Sequence, residues 1–118
     1  MKINALVVER KDGPFVLQEL DLEEPGRGEA LVRIVACGVC HTDAITRAGA
    51  MPMPFPAVLG HEGAGVVEQV GPGVTEVAPG DKVIIGWPSC GACRNCLDGE
   101  PRYCLRTGDA LVSGRRVK

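Results

Sequence analysis

The feature of the sequence that most constrains the fold is a cluster of four cysteines, Cys90, Cys93, Cys96 and Cys104, spaced as C-x2-C-x2-C-x7-C. Four thiolates on one short loop match the tetrahedral, all-sulfur ligand set of a structural zinc ion, which has no open coordination position. Iron–sulfur motifs use a C-x2-C-x2-C-x3-C-P spacing, whereas here the last gap is longer and no proline follows it. Two disulfides or four unrelated thiols are the alternatives. The spacing favours zinc, and we predict that residues 88–106 form a loop held together by this metal.

A zinc loop requires reduced cysteines, and the rest of the chain predicts a compartment in which thiols stay reduced. Glu9 precedes any long apolar run, so the N-terminus does not have the pattern of a signal peptide. No apolar run approaches the roughly 18 residues that a membrane span needs. These observations predict a cytoplasmic protein without a membrane partner.

The charge of the chain argues against nucleic acid as a partner. The formal net charge is −2 at pH 7, which gives no general attraction to a phosphate backbone. Arg115, Arg116 and Lys118 form a short basic end that we interpret as a solvated tail. A zinc ribbon that binds protein or nucleic acid is the alternative function for the cysteine loop, although Asp98 and Glu100 offset its arginines.

Short apolar segments separated by glycine and proline turns predict a mainly β fold in one domain. The predicted strands cover residues 2–10, 15–22, 30–40, 63–71 and 81–87. The first two are expected to form a hairpin. Residues 41–49 predict one short helix, with Thr42 as its N-cap and Gly49 as its stop. This pattern is typical of an all-β barrel or sandwich with a single helix.

Two further segments carry side chains that bind metals. The segment "CGVCHTD" places Cys40 where a strand turns into the helix, and "GHE" places His61 and Glu62 on a turn before the next strand. A catalytic zinc takes three protein ligands and keeps one position open, and only a thiolate and an imidazole are evident here. Cys37 could add a third ligand or form a redox dithiol, but a buried thiol is the favoured interpretation. For "GHE" alone, a plain surface turn is an equal alternative.

Taken together, these motifs resemble the zinc-dependent medium-chain alcohol dehydrogenases. The matching pieces are "CGVCHTD", "GHEGAGVVEQVGPGV", "PGDKVI" and the four-cysteine loop, in that order, from about Lys2 to Ser113. The chain is most similar to the aryl (benzyl) alcohol dehydrogenases, because of "DGPF" and "CGACRNCLDGEPRYC". The resemblance implies that residues 1–118 form a GroES-like, partly open β-barrel with a short helix, the N-terminal part of a catalytic domain.

The resemblance also implies roles around a catalytic zinc ion. Cys40 and His61 would be ligands, with a third ligand supplied farther along the chain, and Glu62 would lie beside the metal as an occasional ligand. Asp43 would hydrogen-bond the zinc-ligating histidine and thereby fix its orientation and basicity. His41 would reach the pyrophosphate of the cofactor, NAD or NADP.

Other positions would handle the substrate, a small alcohol or aldehyde. By the same resemblance, Thr42 would accept the proton of the substrate hydroxyl, and Trp87 with residues 51–55 would form the pocket wall. Many members of the family carry a second histidine where this chain has Ile45, so we expect another route for proton exit and an apolar pocket lining there. This favours primary alcohols that are aromatic or bulky, oxidised to aldehydes by hydride transfer to the cofactor.

The sequence contains no complete nucleotide-binding fingerprint. The segment "GPGVTE" gives G-x-G from Gly71, but Glu76 stands where the third glycine belongs. We therefore expect the Rossmann domain and the third zinc ligand to lie beyond Lys118, and the isolated chain to be inactive and to hold its catalytic metal weakly. Missing barrel strands would leave an exposed edge, which predicts a homo-oligomer. A co-chaperonin-like ring is the second alternative, since the dehydrogenase domain resembles that fold.

Overall fold

The first two predicted strands form a hairpin, and a short third strand extends it into a sheet. In the computed structural model, which describes residues 1–111, β1 (Lys2–Val8) pairs antiparallel with β2 (Phe15–Asp21) along their whole length. Asp12, with a φ of 58°, lies in the turn between them. Strand β4 (Ala57–Val58) pairs with the other edge of β1, so the sheet has the order β2-β1-β4.

The second sheet has the order β3-β5-β6, and the candidate site lies where β3 ends and β5 begins. Strand β3 (Ala30–Gly38) pairs antiparallel with β5 (Glu62–Val70), which pairs in turn with β6 (Lys82–Ile84). Gly65 on β5 is buried, and a Cβ atom there would overlap the carbonyl oxygen of Arg33 on β3. The missing side chain therefore lets the two strands approach each other closely.

Four short helical segments complete residues 1–111. They are α1 (His41–Arg47), α2 (Arg94–Leu97), a 3₁₀ helix (Pro101–Tyr103) and α3 (Thr107–Leu111). The sequence predicted only the first, and the next two lie inside the cysteine-rich segment that was expected to be a loop. None of the helices in this part of the chain has the length and apolar character needed to cross a membrane. The predicted basic tail lies outside the described residues.

The prediction of a mainly β fold with a partly open barrel is confirmed. Within residues 1–111 the two sheets share no hydrogen-bonded strand pair, so the barrel is not closed. The buried apolar side chains of this region are few, namely Val7, Val8 and Val67. Strand β6 is shorter than the predicted segment 81–87, and Ile84 at its end is 85 % exposed. The strands therefore form a scaffold that leaves much apolar surface uncovered.

The prediction of a buried thiol at Cys37 is wrong, because no other strand of residues 1–111 covers the free edge of β3. Cys37 is exposed, and its neighbours Val35 and Val39 are 69 % and 88 % exposed. Within the part of the chain that the structure describes, β3 pairs with β5 alone and is an edge strand. Burial at this position depends on a distant segment packing against β3, which a local apolar pattern does not reveal.

We expect the chain to self-associate through this exposed edge strand. A mainly apolar edge strand with unpaired backbone groups is a template for pairing with another chain, and Arg33 is the one charged residue of β3. Sedimentation equilibrium should detect dimers or larger species as the concentration rises, and Val35→Lys should weaken the association by placing a charge on the edge. A chain that stays monomeric at every concentration would contradict this expectation.

Candidate metal centres

The first candidate centre begins at the N-terminus of helix α1, where Cys40 is the N-cap residue. Its backbone is extended, with φ of −124° and ψ of 176°, and its Sγ accepts a hydrogen bond from the Thr42 N–H at 3.3 Å. The Asp43 Oδ2 atom accepts a hydrogen bond from the Cys40 N–H at 2.9 Å, which completes a reciprocal capping box. The prediction of Thr42 as the N-cap is therefore wrong by two residues. The capping bonds fix the position of the Cys40 sulfur.

The other donors of this centre come from the start of β5, across the sheet from the end of β3. The Cys40 Sγ and His61 Nε2 atoms lie 3.8 Å apart. One ligand atom from each of Cys40, His61 and Glu62 lies within 4.8 Å of the other two. Cys40 and His61 are half-buried, and Glu62 is exposed. The structure thus brings together three donors from two separate segments.

Gly38 at the end of β3 makes room for the third donor. It is the cross-strand partner of Glu62, and a Cβ atom at Gly38 would overlap the Glu62 carboxylate. The role of Gly38 was not predicted from the sequence, because it depends on the register that places Glu62 opposite it, although a glycine within a strand is typical of a close approach.

We expect Gly38→Ala to weaken metal binding at this centre and to leave the four-cysteine loop unchanged. The new methyl group displaces the Glu62 carboxylate, and a change beside a metal ligand typically costs about 10-fold or more in affinity. Competition with a chromophoric chelator should show a lower zinc affinity at this centre and an unchanged affinity at the four-cysteine loop. Gly86→Ala is the control, because within the described chain no atom beyond its two sequence neighbours lies near the added methyl group. Equal affinities for the two variants would contradict the proposed role of Gly38.

The expected hydrogen bond between Asp43 and His61 is not made in this structure. Asp43 is buried, and within residues 1–111 its carboxylate binds the Cys40 N–H and not the imidazole. Instead the His61 ring lies against Trp87, with 5.0 Å between ring centroids and 39° between planes. Asp43 therefore positions Cys40 through the helix cap, and the His61 ring has Trp87 as its neighbour.

A cavity of about 210 Å³ opens beside His61. Its apolar walls are formed by six residues, Met51, Pro52, Met53, Val58, Leu59 and Trp87. Polar side chains enter it from α1 and from the start of β5, namely Thr42, Asp43, Thr46 and His61. Of the predicted wall, Trp87 and residues 51–53 line the cavity, whereas Pro54 and Phe55 are not among its lining residues. Ile45 does not line it and is half-buried elsewhere on the helix, because Thr42 and Thr46 occupy the inward face.

His41 lies apart from the cavity. It is the first residue of α1, its side chain is exposed, and it is not among the lining residues. His41 therefore does not line the cavity, and its exposed side chain is accessible to a group outside it.

The second candidate centre is the cysteine loop, in which the structure brings the four predicted ligands together. The sulfur atoms of Cys90, Cys93, Cys96 and Cys104 lie within 4.8 Å of one another. The Cys93 and Cys96 Sγ atoms are 3.4 Å apart, and all four side chains are free thiols. Helix α2 sets the spacing of the middle pair, while glycines with positive φ at positions 91 and 99 turn the chain before and after it.

Backbone N–H groups point at these sulfur atoms and favour their ionised forms. Cys104 Sγ accepts from the Cys90 N–H at 3.2 Å and from the Arg106 N–H at 3.3 Å. These bonds lower the pKa of Cys104, and bonds from the Leu105 and Cys96 backbone lower the pKa of Cys93 to about 6. Desolvation raises the pKa of Cys96 to about 11. The loop therefore stabilises negative charge on part of the cluster, as a cation site requires.

Comparison with known proteins gives consistent matches along the chain. A family model described as the alcohol dehydrogenase GroES-like domain matches residues 26–115. An NDMA-dependent alcohol dehydrogenase of Amycolatopsis methanolica is 46 % identical over 115 residues, which cover 97 % of this chain and 31 % of that protein. Geraniol dehydrogenase of Castellaniella defragrans is 46 % identical over 102 residues, covering 86 % of this chain and 27 % of that protein.

A solved structure matches the fold as well. Benzyl alcohol dehydrogenase from Acinetobacter calcoaceticus superposes with a TM-score of 0.87 at 46 % identity, over 91 % of this chain and 30 % of that one. The chain spans less than a third of the length of each of these relatives.

Proposed function

Because this chain belongs to the alcohol dehydrogenase GroES-like domain family, we propose that it forms the zinc-binding catalytic part of an alcohol dehydrogenase. The enzyme would oxidise a primary alcohol to an aldehyde, with NAD or NADP as the hydride acceptor. We assign residues 1–118 to the N-terminal part of the catalytic domain and residues 88–106 to its structural zinc loop.

The convergence of Cys40, His61 and Glu62 beside an apolar cavity supports this proposal most directly. Their ligand atoms lie within 4.8 Å of one another, although Cys40 caps α1 and the other two residues lie at the start of β5. A surface turn has no need of three such donors at one place. The same reasoning argues against a zinc ribbon, which would use only the cysteine loop.

The donor sets fit zinc at both centres. One thiolate, one imidazole and one carboxylate are ligands that zinc accepts in catalytic sites, which keep a further position open. Four thiolates are the ligand set of a closed structural site, and soft sulfur donors disfavour calcium and magnesium. Zinc bound by Cys40 and His61 would supply Lewis-acid chemistry that lowers the pKa of an alcohol.

Side chains of this chain would orient the alcohol and move its proton. The Thr42 hydroxyl lines the cavity beside Cys40 and would accept the proton of the substrate hydroxyl. Asp43 holds Cys40 through the helix cap, and the Trp87 ring packs against the His61 ring. His41, exposed at the start of α1, would contact the pyrophosphate of the cofactor. No second histidine follows at Ile45, so the proton would leave by another route.

The size of the cavity suits a small aromatic alcohol. An engineered apolar cavity of about 150 Å³ binds benzene, and the cavity here measures about 210 Å³. The additional volume accommodates a carbinol group directed toward His61. Both zinc sites need reduced thiolates, which fits a cytoplasmic location, and the exposed β3 edge fits assembly into a homo-oligomer.

Trp87 provides a test of this function, because it is the single tryptophan of the chain and lines the cavity. Benzyl alcohol added to the zinc-loaded chain should change the Trp87 fluorescence in a saturable way. Cys40→Ser should abolish this response, since serine caps a helix well but offers no thiolate to the metal. Cys37→Ser, three residues earlier on an exposed site, is the matched control and should respond like the wild type.

Two results would argue against the proposal. One is a chain whose Trp87 fluorescence does not respond to benzyl alcohol after zinc loading. The other is an equal response in the Cys40→Ser and Cys37→Ser variants, because binding would then be independent of the metal ligand.

A further inference from the structure

Thr46 is a buried polar residue in the cavity that the proposed chemistry does not use. Its side chain is 3 % exposed, and its hydroxyl donates to the Met51 Sδ atom at 3.3 Å. Within residues 1–111 this is the one hydrogen bond that the hydroxyl makes. A thioether sulfur is a weak acceptor, so the bond satisfies the hydroxyl poorly.

The two threonines of α1 both line the cavity, at different distances along the helix from Cys40. Thr42 lies next to the Cys40 sulfur, to which its N–H donates at 3.3 Å. Thr46 follows four residues later on the same helix face, about 6 Å farther along the axis at 1.5 Å of rise per residue. This spacing is comparable to the distance between two substituents on opposite sides of a benzene ring.

We propose that the site selects aromatic primary alcohols with a second hydrogen-bonding group para to the carbinol, and that Thr46 recognises this group. The inference rests on the proposed function, which places the carbinol at the metal end of the cavity. The second oxygen then replaces the Met51 sulfur as the partner of the Thr46 hydroxyl. Met51 can turn aside, because its unbranched side chain has three rotatable bonds.

The selectivity follows from the poor partner that Thr46 has in the free protein. An oxygen acceptor forms a stronger bond with a buried hydroxyl than a thioether does, and a neutral hydrogen bond of this kind is worth about 3- to 10-fold in affinity. A ring without the second group leaves the Thr46–Met51 contact in place and gains nothing. Thr46 is therefore a specificity-determining residue, distinct from the metal ligands.

The test compares ligands by the single indole N–H cross-peak of Trp87 in the ¹⁵N-labelled, zinc-loaded chain. Benzyl alcohol, 4-methylbenzyl alcohol and 4-hydroxybenzyl alcohol are titrated in turn. We expect 4-hydroxybenzyl alcohol to bind about 3- to 10-fold more tightly than the other two. The methyl compound has a similar shape but lacks the hydrogen-bonding group. Its affinity therefore shows, in the wild-type chain, how much of the preference comes from shape alone.

The variants Thr46→Val and Thr46→Ser separate recognition by the hydroxyl from packing. Thr46→Ser keeps the hydroxyl and should keep the preference, whereas Thr46→Val should bind the three alcohols with equal affinity. Equal binding of the three alcohols by the wild type, or a preference retained in Thr46→Val, would overturn the assignment of Thr46. Failure of all three alcohols to shift the Trp87 cross-peak would instead overturn the proposed function, and this selectivity with it.

Discussion

Replacing Cys104 with serine is expected to remove one tightly bound zinc ion and to unfold residues 88–106. A structural zinc in a small thiolate site contributes about 10–16 kcal/mol of binding free energy at neutral pH, which is also folding free energy. Cys104 closes the loop, because its sulfur accepts N–H bonds from residues at both ends of it, Cys90 and Arg106. The short helices of the loop have few other contacts to replace the metal. Elemental analysis should give one zinc fewer, and ¹⁵N NMR should show collapse of the loop signals.

The unfolding caused by Cys104→Ser should be confined to residues 88–106, so the strands of the same chain serve as an internal control. The strands pair with one another through backbone hydrogen bonds that do not involve the loop. Their amide signals should therefore persist in Cys104→Ser. Cys37→Ser should retain both the zinc and the loop signals, since Cys37 is exposed and lies outside both candidate metal centres. A Cys104→Ser chain with full zinc content and an ordered loop would show that the cysteines do not form a metal site.

Gly71→Ala is expected to destabilise the fold by about 3 kcal/mol, near the upper end for a single change in a packed region. Gly71 follows β5, and a Cβ atom there would overlap the Gly26 carbonyl oxygen. The two segments cannot separate freely, because the Gly71 N–H donates to Glu29 O at 2.8 Å and the Gly28 N–H to Pro72 O at 2.9 Å. The added methyl group must therefore break these bonds or strain the backbone. Urea unfolding followed by circular dichroism should report the loss.

Gly86→Ala provides the comparison for this prediction. Among residues 1–111, apart from the two sequence neighbours, no atom lies within 4 Å of a Cβ added at Gly86, and its φ is outside the left-handed region. The expected change is within about 0.5 kcal/mol, as for other exposed substitutions. If Gly71→Ala and Gly86→Ala lower the free energy of unfolding equally, the close approach of Gly71 to Gly26 does not exclude a larger side chain at position 71.

The parts of the site that depend on sequence spacing could be predicted, and those that depend on distant packing could not. The four cysteines are close in sequence, so their spacing alone indicated a shared metal. Cys40 and His61 are 21 residues apart, and only the resemblance to a family connected them. The thiol at Cys37 was expected to be buried, but its burial requires a partner for β3 that the local sequence does not specify.

The local geometry of α1 was the least predictable feature. Cysteine is not among the residues that commonly cap helices, so Thr42 was the expected cap. The capping box with Asp43 nevertheless selects Cys40, and this assignment removes Asp43 from its expected contact with His61. The position of Thr46 on the same face as Thr42 follows from helical periodicity. Its contact with Met51 depends on how residues 51–55 fold back over the helix, which no local pattern encodes.

The central claim is that the chain holds two different metal centres, one with four thiolates and one with Cys40, His61 and Glu62. Loading the chain with ¹¹³Cd and recording its NMR spectrum tests this directly, because the shift of cadmium depends strongly on the number of thiolate ligands. We expect two resonances, one from an all-sulfur site and one from a mixed site, and we expect Cys40→Ser to remove only the second. A single resonance in the wild type, or a second resonance that survives in Cys40→Ser, would contradict the claim.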